Sequence, residues 1–313
     1  MRSRLARNVH AVVAAGLAAT LAASCGLGAG AAPSAVQLTV TRDFGSRVLS
    51  PRRAPRVQGQ ETVMSLLLRN DAVTTRYGGG FVQSIDGLAG GQEAGRPVDW
   101  FYYINGVEAS KGAAATNVHP GDHIWWDRHD WSQTDDVPAV VGSFPEPFLN
   151  GIGGKRLPVR VECTAVQSDP CRTVTARLRA RGVPAAIAAI GSGGGPSTLC
   201  VLVGIWTALD RDVAAREIGR GPRVSGVYAS FSADGKTLTL LDQDGLAART
   251  FTAGAGLLAA TRQGEEAPVW VVTGTDAAGL ELAARALHES VLQRRFALAL
   301  SAQGATPVPV GAS

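Results

Sequence analysis

The chain has 313 residues, 45% of them hydrophobic and 18% charged, with 30 Lys and Arg against 26 Asp and Glu. That length exceeds what one small core usually organises and suits two domains. The basic excess is concentrated at the start, where Arg2, Arg4 and Arg7 occur without an acid. The nearly balanced remainder argues against nucleic acid as a partner.

Residues 1–24 read as a signal peptide: the basic start leads into an apolar run from Val9 to Ala23, interrupted by His10 and Thr20. The run falls short of the roughly 20 residues a membrane-spanning helix needs. It ends in Leu21-Ala22-Ala23-Ser24-Cys25-Gly26, which resembles the lipobox of bacterial lipoproteins. That resemblance implies a lipid on Cys25 and an extracytoplasmic protein anchored to the cell membrane. Ordinary cleavage at Ala29-Gly30-Ala31 would instead release a secreted protein. Gly, Ala, Pro and Ser fill 25–34, which is expected to be a flexible tether.

The first domain is expected over 35–145. Val36 to Thr41 alternates apolar and polar residues, a half-buried strand. Val63, Leu66 and Leu67 recur at helical spacing behind Thr62, a residue suited to capping the helix start. Strands follow at Phe81–Ile85, at Trp100–Ile104 before an Asn105-Gly106 turn, and at Asp122–Trp126. One helix among short strands predicts α+β packing on a mixed sheet.

Pro and Gly gather over 146–157, which reads as a linker. The second domain, 158–301, alternates the types: a strand at 159–161, a helix near 171–182, a buried strand at 199–206 and a helix near 207–218. A hairpin at 227–241, a strand at 268–273 and a long Ala- and Leu-rich helix from Leu280 to Leu298 complete it. The pattern predicts a small α/β sandwich, with 302–313 as a disordered tail. Outside the cytoplasm Cys163 and Cys171 could close a short disulfide loop, with Cys163 to Cys200 as the rival pairing. Cys200, in an apolar run, reads as a buried small hydrophobe.

Four segments carry a family resemblance: Tyr77-Gly78-Gly79-Gly80-Phe81-Val82, Ser84-Ile85-Asp86-Gly87-Leu88, Trp100-Phe101-Tyr102-Tyr103-Ile104-Asn105-Gly106 and Pro120-Gly121-Asp122-His123-Ile124-Trp125-Trp126. Together, over about 35–131, they resemble the transcobalamin C-terminal-like family, a β-grasp domain. The resemblance implies a β-grasp fold and a small-molecule site, cobalamin or another corrinoid being the first ligand to test, around Phe81, Ser84, Ile85, Gly87, Leu88, Trp100, Tyr102, Tyr103 and Trp125. Read from the residues alone, Trp100, Tyr102 and Ile104 share one face of their strand while Phe101 and Tyr103 share the other. Only one face can meet the helix, so the other aromatics are candidates for contact with a flat ligand.

The cluster His119, Asp122, His123, Asp127, His129 and Asp130 has ligand chemistry, but groups along one strand fall in a row rather than around a point. No metal site or catalytic residue is expected, and no Gly-x-Ser-x-Gly or His-Glu-x-x-His motif occurs. The expectation is a non-catalytic, membrane-anchored binding protein with no resident cofactor, working beside a transporter or other envelope protein. The alternatives are a structural or adhesive envelope protein that binds protein or glycan, and a metal-dependent hydrolase.

Overall fold

The computed structural model describes residues 35–192 and 195–312, so the leader, Cys25 and the expected tether lie outside the described residues. The N-terminal part contains β1 (Gln37–Arg42), β2 (Arg47–Arg53), α1 (Val63–Asn70), β3 (Val73–Arg76), β4 (Phe81–Ile85) and β5 (Leu88–Ala89). It continues with β6 (Gly91–Glu93), β7 (Arg96–Ile104), β8 (Val107–Glu108) and β9 (His123–Asp130). Its main sheet runs β2-β1-β9-β7-β6, with β8 on β7 and β3-β4-β5 forming a separate small sheet. The parallel β1–β9 pair beside antiparallel β7–β9 makes the sheet mixed, and α1 is the one α-helix of this part.

Helix α1 forms where a cap and an apolar stripe coincide. Ser65 N donates to Thr62 Oγ1 at 3.2 Å and Thr62 N donates to Ser65 Oγ at 2.9 Å, a reciprocal cap on the helix start. Val63, Met64, Leu66 and Leu67 are buried against Leu38, Val40, Trp100, Tyr102, Ile124 and Trp126. Side-chain alternation along β7 and β9 therefore gives one aromatic set to the helix.

The second part comprises β10 (Val159–Cys163), α2 (Asp169–Ala180), β11 (Ala185–Ala189), β12 (Leu199–Ile205), α3 (Trp206–Leu209), α4 (Val213–Gly219) and α5 (Pro222–Ser225). Then come β13 (Ala229–Phe231), β14 (Leu238–Leu241), β15 (Ala247–Phe251), β16 (Gly256–Thr261) and β17 (Val269–Gly274). The last elements are α6 (Ala277–Ala286), α7 (Glu289–Leu292), β18 (Ala297–Ser301) and β19 (Gly304–Val308). A seven-stranded sheet runs β11-β10-β12-β17-β16-β18-β19, parallel from β11 to β17 and antiparallel beyond. Helices α2 and α6 cover one face through Val174, Leu178, Leu280, Ala283 and Ala284. Strands β13 to β15 form a separate antiparallel sheet. The whole is α+β, a β-grasp-like part followed by an α/β sandwich.

Helix α6 lies unusually close to the sheet. A Cβ on Gly279 would stand 2.1 Å from the Ala255 carbonyl oxygen, and one on Gly256 would stand 2.2 Å from the Gly279 oxygen. Only glycine permits that approach. Cys163 and Cys171 are joined by a disulfide between the end of β10 and the start of α2, and Cys200 is free.

Three expectations change. The Leu280–Leu298 run is not one helix: α6 stops at Ala286, His288 caps α7, and Ala297 and Leu298 open β18. Ala-Leu-Ala-Leu suits a helix by propensity, but here every residue of β18 is buried between β16 and β19, and tertiary context prevails. The expected helix near 207–218 is divided into α3 and α4, with Asp212 capping the second. The end of the chain, expected to be a disordered tail, supplies β19, and Val310 N donates to Leu241 O at 2.9 Å. Within 146–157, Phe148 packs on Trp270 at 5.0 Å, as does Phe144 just upstream at 6.1 Å. The crossing segment thus enters the α/β core.

Candidate functional site

The expected ligand residues do not converge on an open surface. Ser84, Ile85, Trp100 and Tyr102 are buried in the β-grasp core; Trp100 Nε1 donates to Leu88 O at 3.0 Å, and Ser84 and Thr74 hydroxyls are 2.6 Å apart. Phe81 and Leu88 are half-buried, and Gly87 is an exposed turn residue with φ +82°. Tyr103 and Trp125, on the face turned from the helix, are each 0% exposed. They are covered by the second part: Phe296 lies 5.3 Å from Trp125 and 5.5 Å from Tyr103, edge-on to both. Phe44, Phe101 and His129 extend the cluster, with Phe44 5.3 Å from Tyr228. The aromatic face offered by the sequence as a ligand platform is spent on joining the two sheets, because burying that area excludes more water than any small ligand would.

A polar network locks this joint. Trp125 Nε1 donates to Thr41 Oγ1 at 2.7 Å, and the Thr41 hydroxyl donates to Asp127 Oδ2 at 2.5 Å. The Asp127 carboxylate also accepts from Gly45 N at 2.8 Å and Phe44 N at 3.1 Å, while Oδ1 lies 2.9 Å from His129 Nδ1. It thereby holds the β1–β2 turn, in which Asp43, Phe44 and Gly45 all have positive φ. Most of the His and Asp row is engaged in such structural bonds, although His119 Nδ1 and His123 Nδ1 have no hydrogen-bond partner. His123 pairs with Thr39 Oγ1 at 3.0 Å, and burial pulls its imidazole down to about 3. Among the described residues no group of three His, Cys, Asp or Glu is placed to hold a metal ion.

Open space occurs instead at another stretch of the junction. A cleft of about 380 Å³ lies between the β7–β8 hairpin with its following loop on one side and the β16–β17 hairpin on the other. Ile104, Val107, Ala109 and Ile152 give it apolar surface, and Lys111, Asn117, His119 and Arg262 give it polar groups. Glu108, Ser110, Arg262 and Glu265 also border an adjoining space of about 500 Å³ that reaches Asp135 and Asp136.

The cleft forms because Asn105-Gly106 turns β7 sharply into β8, with φ of +54° and +78°. Asn105 is fully buried: Nδ2 donates to Asp122 Oδ1 and to Gly151 O, each at 2.8 Å, and Oδ1 accepts from His123 N at 2.8 Å. The turn is therefore bonded to β9 and to the crossing segment, and a Cβ on Gly106 would meet Val140 O at 2.8 Å. Past this staple the chains separate and leave the opening.

Its electrostatics are divided. Burial pushes the Glu108 carboxyl up to about 8, and the nearby Asp136 and Asp135 add to the effect, although Val137 N donates to Oε2 at 2.6 Å. Glu108 is consequently protonated at neutral pH. Arg262, which borders both spaces, donates from Nε to Glu266 O at 2.7 Å and from Nη2 to Glu265 Oε2 at 3.1 Å. The Ser110 side chain, then Arg262 and Lys111, hold the Glu265 carboxyl below the usual range. Lys111 and Arg262 bring positive charge to the cleft while Asp135 and Asp136 border the adjoining space, groups able to orient a small dipolar molecule. None of Lys111, Asn117, Arg262 or Glu265 stood out in the sequence, because none belongs to a motif.

The model of a domain of unknown function, DUF4430, matches residues 60–130. No curated protein matches the chain. Among solved structures, a candidate metal-binding protein from Ruminococcus gnavus ATCC 29149 is similar, at 14% identity and a TM-score of 0.24. The match covers 31% of this chain and 97% of that one, a likeness too slight to bear on function. No described helix is long and apolar enough to cross a membrane.

Proposed function

We propose that this chain is a non-catalytic binding protein of the cell envelope that takes a small polar molecule into the cleft between its two sheets. The carrying observation is the cleft itself: about 380 Å³, with apolar walls and a few convergent polar side chains from both parts, the usual make-up of a small-molecule site. On this proposal the leader exports the protein and a lipid on Cys25 holds it at the membrane, where a captured molecule passes to a neighbouring transporter or envelope protein. Mass spectrometry of the mature N-terminus tests the anchor; an unmodified start downstream of Cys25 would remove it.

The DUF4430 match overlaps the region of transcobalamin-like resemblance. Of the residues by which that resemblance would hold a corrinoid, Tyr103 and Trp125 are fully buried, while Phe81, Gly87 and Leu88 keep exposed surface. Cobalamin and cobinamide therefore serve as the comparison in a thermal-shift and calorimetric screen of small polar molecules. The expected result is saturable binding of a polar compound, flat corrinoid titrations, and loss of the signal in Ala115→Trp, which fills the cleft from an exposed position. Binding that survives Ala115→Trp would place the site elsewhere.

A further inference from the structure

Glu265 sits in the cleft as a carboxylate held by groups that do not depend on it. The Arg262 side chain is 10% exposed and its Nε is tied to the Glu266 carbonyl, so the guanidinium stays in place with Nη2 directed to the Glu265 carboxylate. Glu265 itself is 76% exposed at a hairpin tip beside Gly264, whose φ is +47°. Across the gap, Ser110 and Lys111 line the same cleft as Arg262 and Glu265, offering a hydroxyl and a second positive charge. An ion pair with one exposed member is weak and readily exchanged. Its buried guanidinium, however, is costly to leave without an anion. Arg262, with Ser110 and Lys111 opposite it, thus forms a carboxylate seat assembled from both parts of the chain, beside a side chain that can leave.

We propose that the cleft binds a small zwitterion whose carboxylate displaces Glu265 from Arg262 and meets Ser110 and Lys111 while its amine points toward Asp135 and Asp136. The inference rests on the cleft being a ligand site and specifies the ligand's chemistry. Asp135 and Asp136 border the adjoining space, which shares Ser110, Arg262 and Glu265 with the cleft, so both charges of one ligand find complements.

The test is calorimetry on the purified protein with a chain-length series of ω-amino acids, the matching ω-amino amides and the matching simple carboxylates. At least one ω-amino acid is expected to bind saturably, with its amide weaker by about tenfold or more, the loss of a charge-assisted contact. Glu265→Gln is expected to tighten the ω-amino acid by about fivefold, the weight of an exposed ion pair. Arg262→Gln is expected to abolish the preference for acid over amide, with circular dichroism confirming the fold; if that variant does not fold, Arg262→Lys must reduce the preference.

Equal binding of acid and amide, both lost in Ala115→Trp, would overturn the carboxylate seat and leave the cleft intact as a site. Weaker binding in Glu265→Gln would make Glu265 a ligand group and overturn displacement. Equal binding of ω-amino acid and simple carboxylate would remove the zwitterion. No binding across the series would overturn the inference, whereas the wider screen with Ala115→Trp decides the cleft separately.

Discussion

Two stretches of one junction behave in opposite ways. Around Trp125 the sheets meet through interlocked aromatics and a buried carboxylate, with Gly45 and Gly142 admitting the Arg294–Arg295 backbone of the turn before β18 to close approach. Around Arg262 they stand apart, and charged groups from both sides face the gap without closing it. The first stretch holds the residues that look most like ligand groups; the second holds residues of no evident distinction. The difference teaches that an exposed-looking aromatic face in a two-part protein is first a candidate for the partner part, because apolar area is the cheapest material for a permanent joint.

The contrast can be broken most directly at Trp125. Trp125→Ala should cost about 3–5 kcal/mol, as large-to-small changes in a core do, read as a fall in the denaturant midpoint. The α/β part should lose cooperativity with the β-grasp part in the same experiment. A cost under about 1 kcal/mol would mean that the joint is not a core. Gly45→Ala should follow closely. Gly45 has φ +77°, and a Cβ there would stand 2.2 Å from Arg294 O and 2.9 Å from Trp125, so about 3 kcal/mol is expected from strain and overpacking together.

Glu108 sharpens the comparison through pH. Its folded carboxyl holds a proton to about pH 8, whereas unfolded it ionises near 4.5. Between those values the folded state binds more protons, so stability falls as pH rises through the window and levels off above it. Glu108→Gln should flatten that slope. An unchanged slope would locate the pH dependence elsewhere. The smallest effect belongs to the open end: Asn117→Ala, on an exposed cleft residue, should change stability by no more than about 0.5 kcal/mol while weakening any ligand that the cleft binds.

Much of the architecture was legible in advance. Thr62 and the Val63, Leu66, Leu67 stripe located the start of α1, period-two alternation located β1, and β4 and the second half of β7 also read as strands. The alternation even divided the β7 aromatics into two faces, as observed. What covers the second face was not legible, since Phe296 is nearly two hundred positions away and lay inside a run that read as helix. The candidate cleft was less legible still. Lys111, Asn117 and Arg262 are single polar residues in loops and hairpins, and nothing local marks them as neighbours.

The sequence by itself determined the mixed α+β character, the capped helix, the strand faces and the turn at Asn105-Gly106, because each depends on interactions within a few residues. Only the tertiary structure decided that Trp125 and Tyr103 face protein rather than solvent, that Ala297–Ser301 is an interior strand of the larger sheet, and that Arg262 and Ser110 border one cleft. Those outcomes depend on which distant surfaces meet, and burial of apolar area sets that choice without regard to separation along the chain.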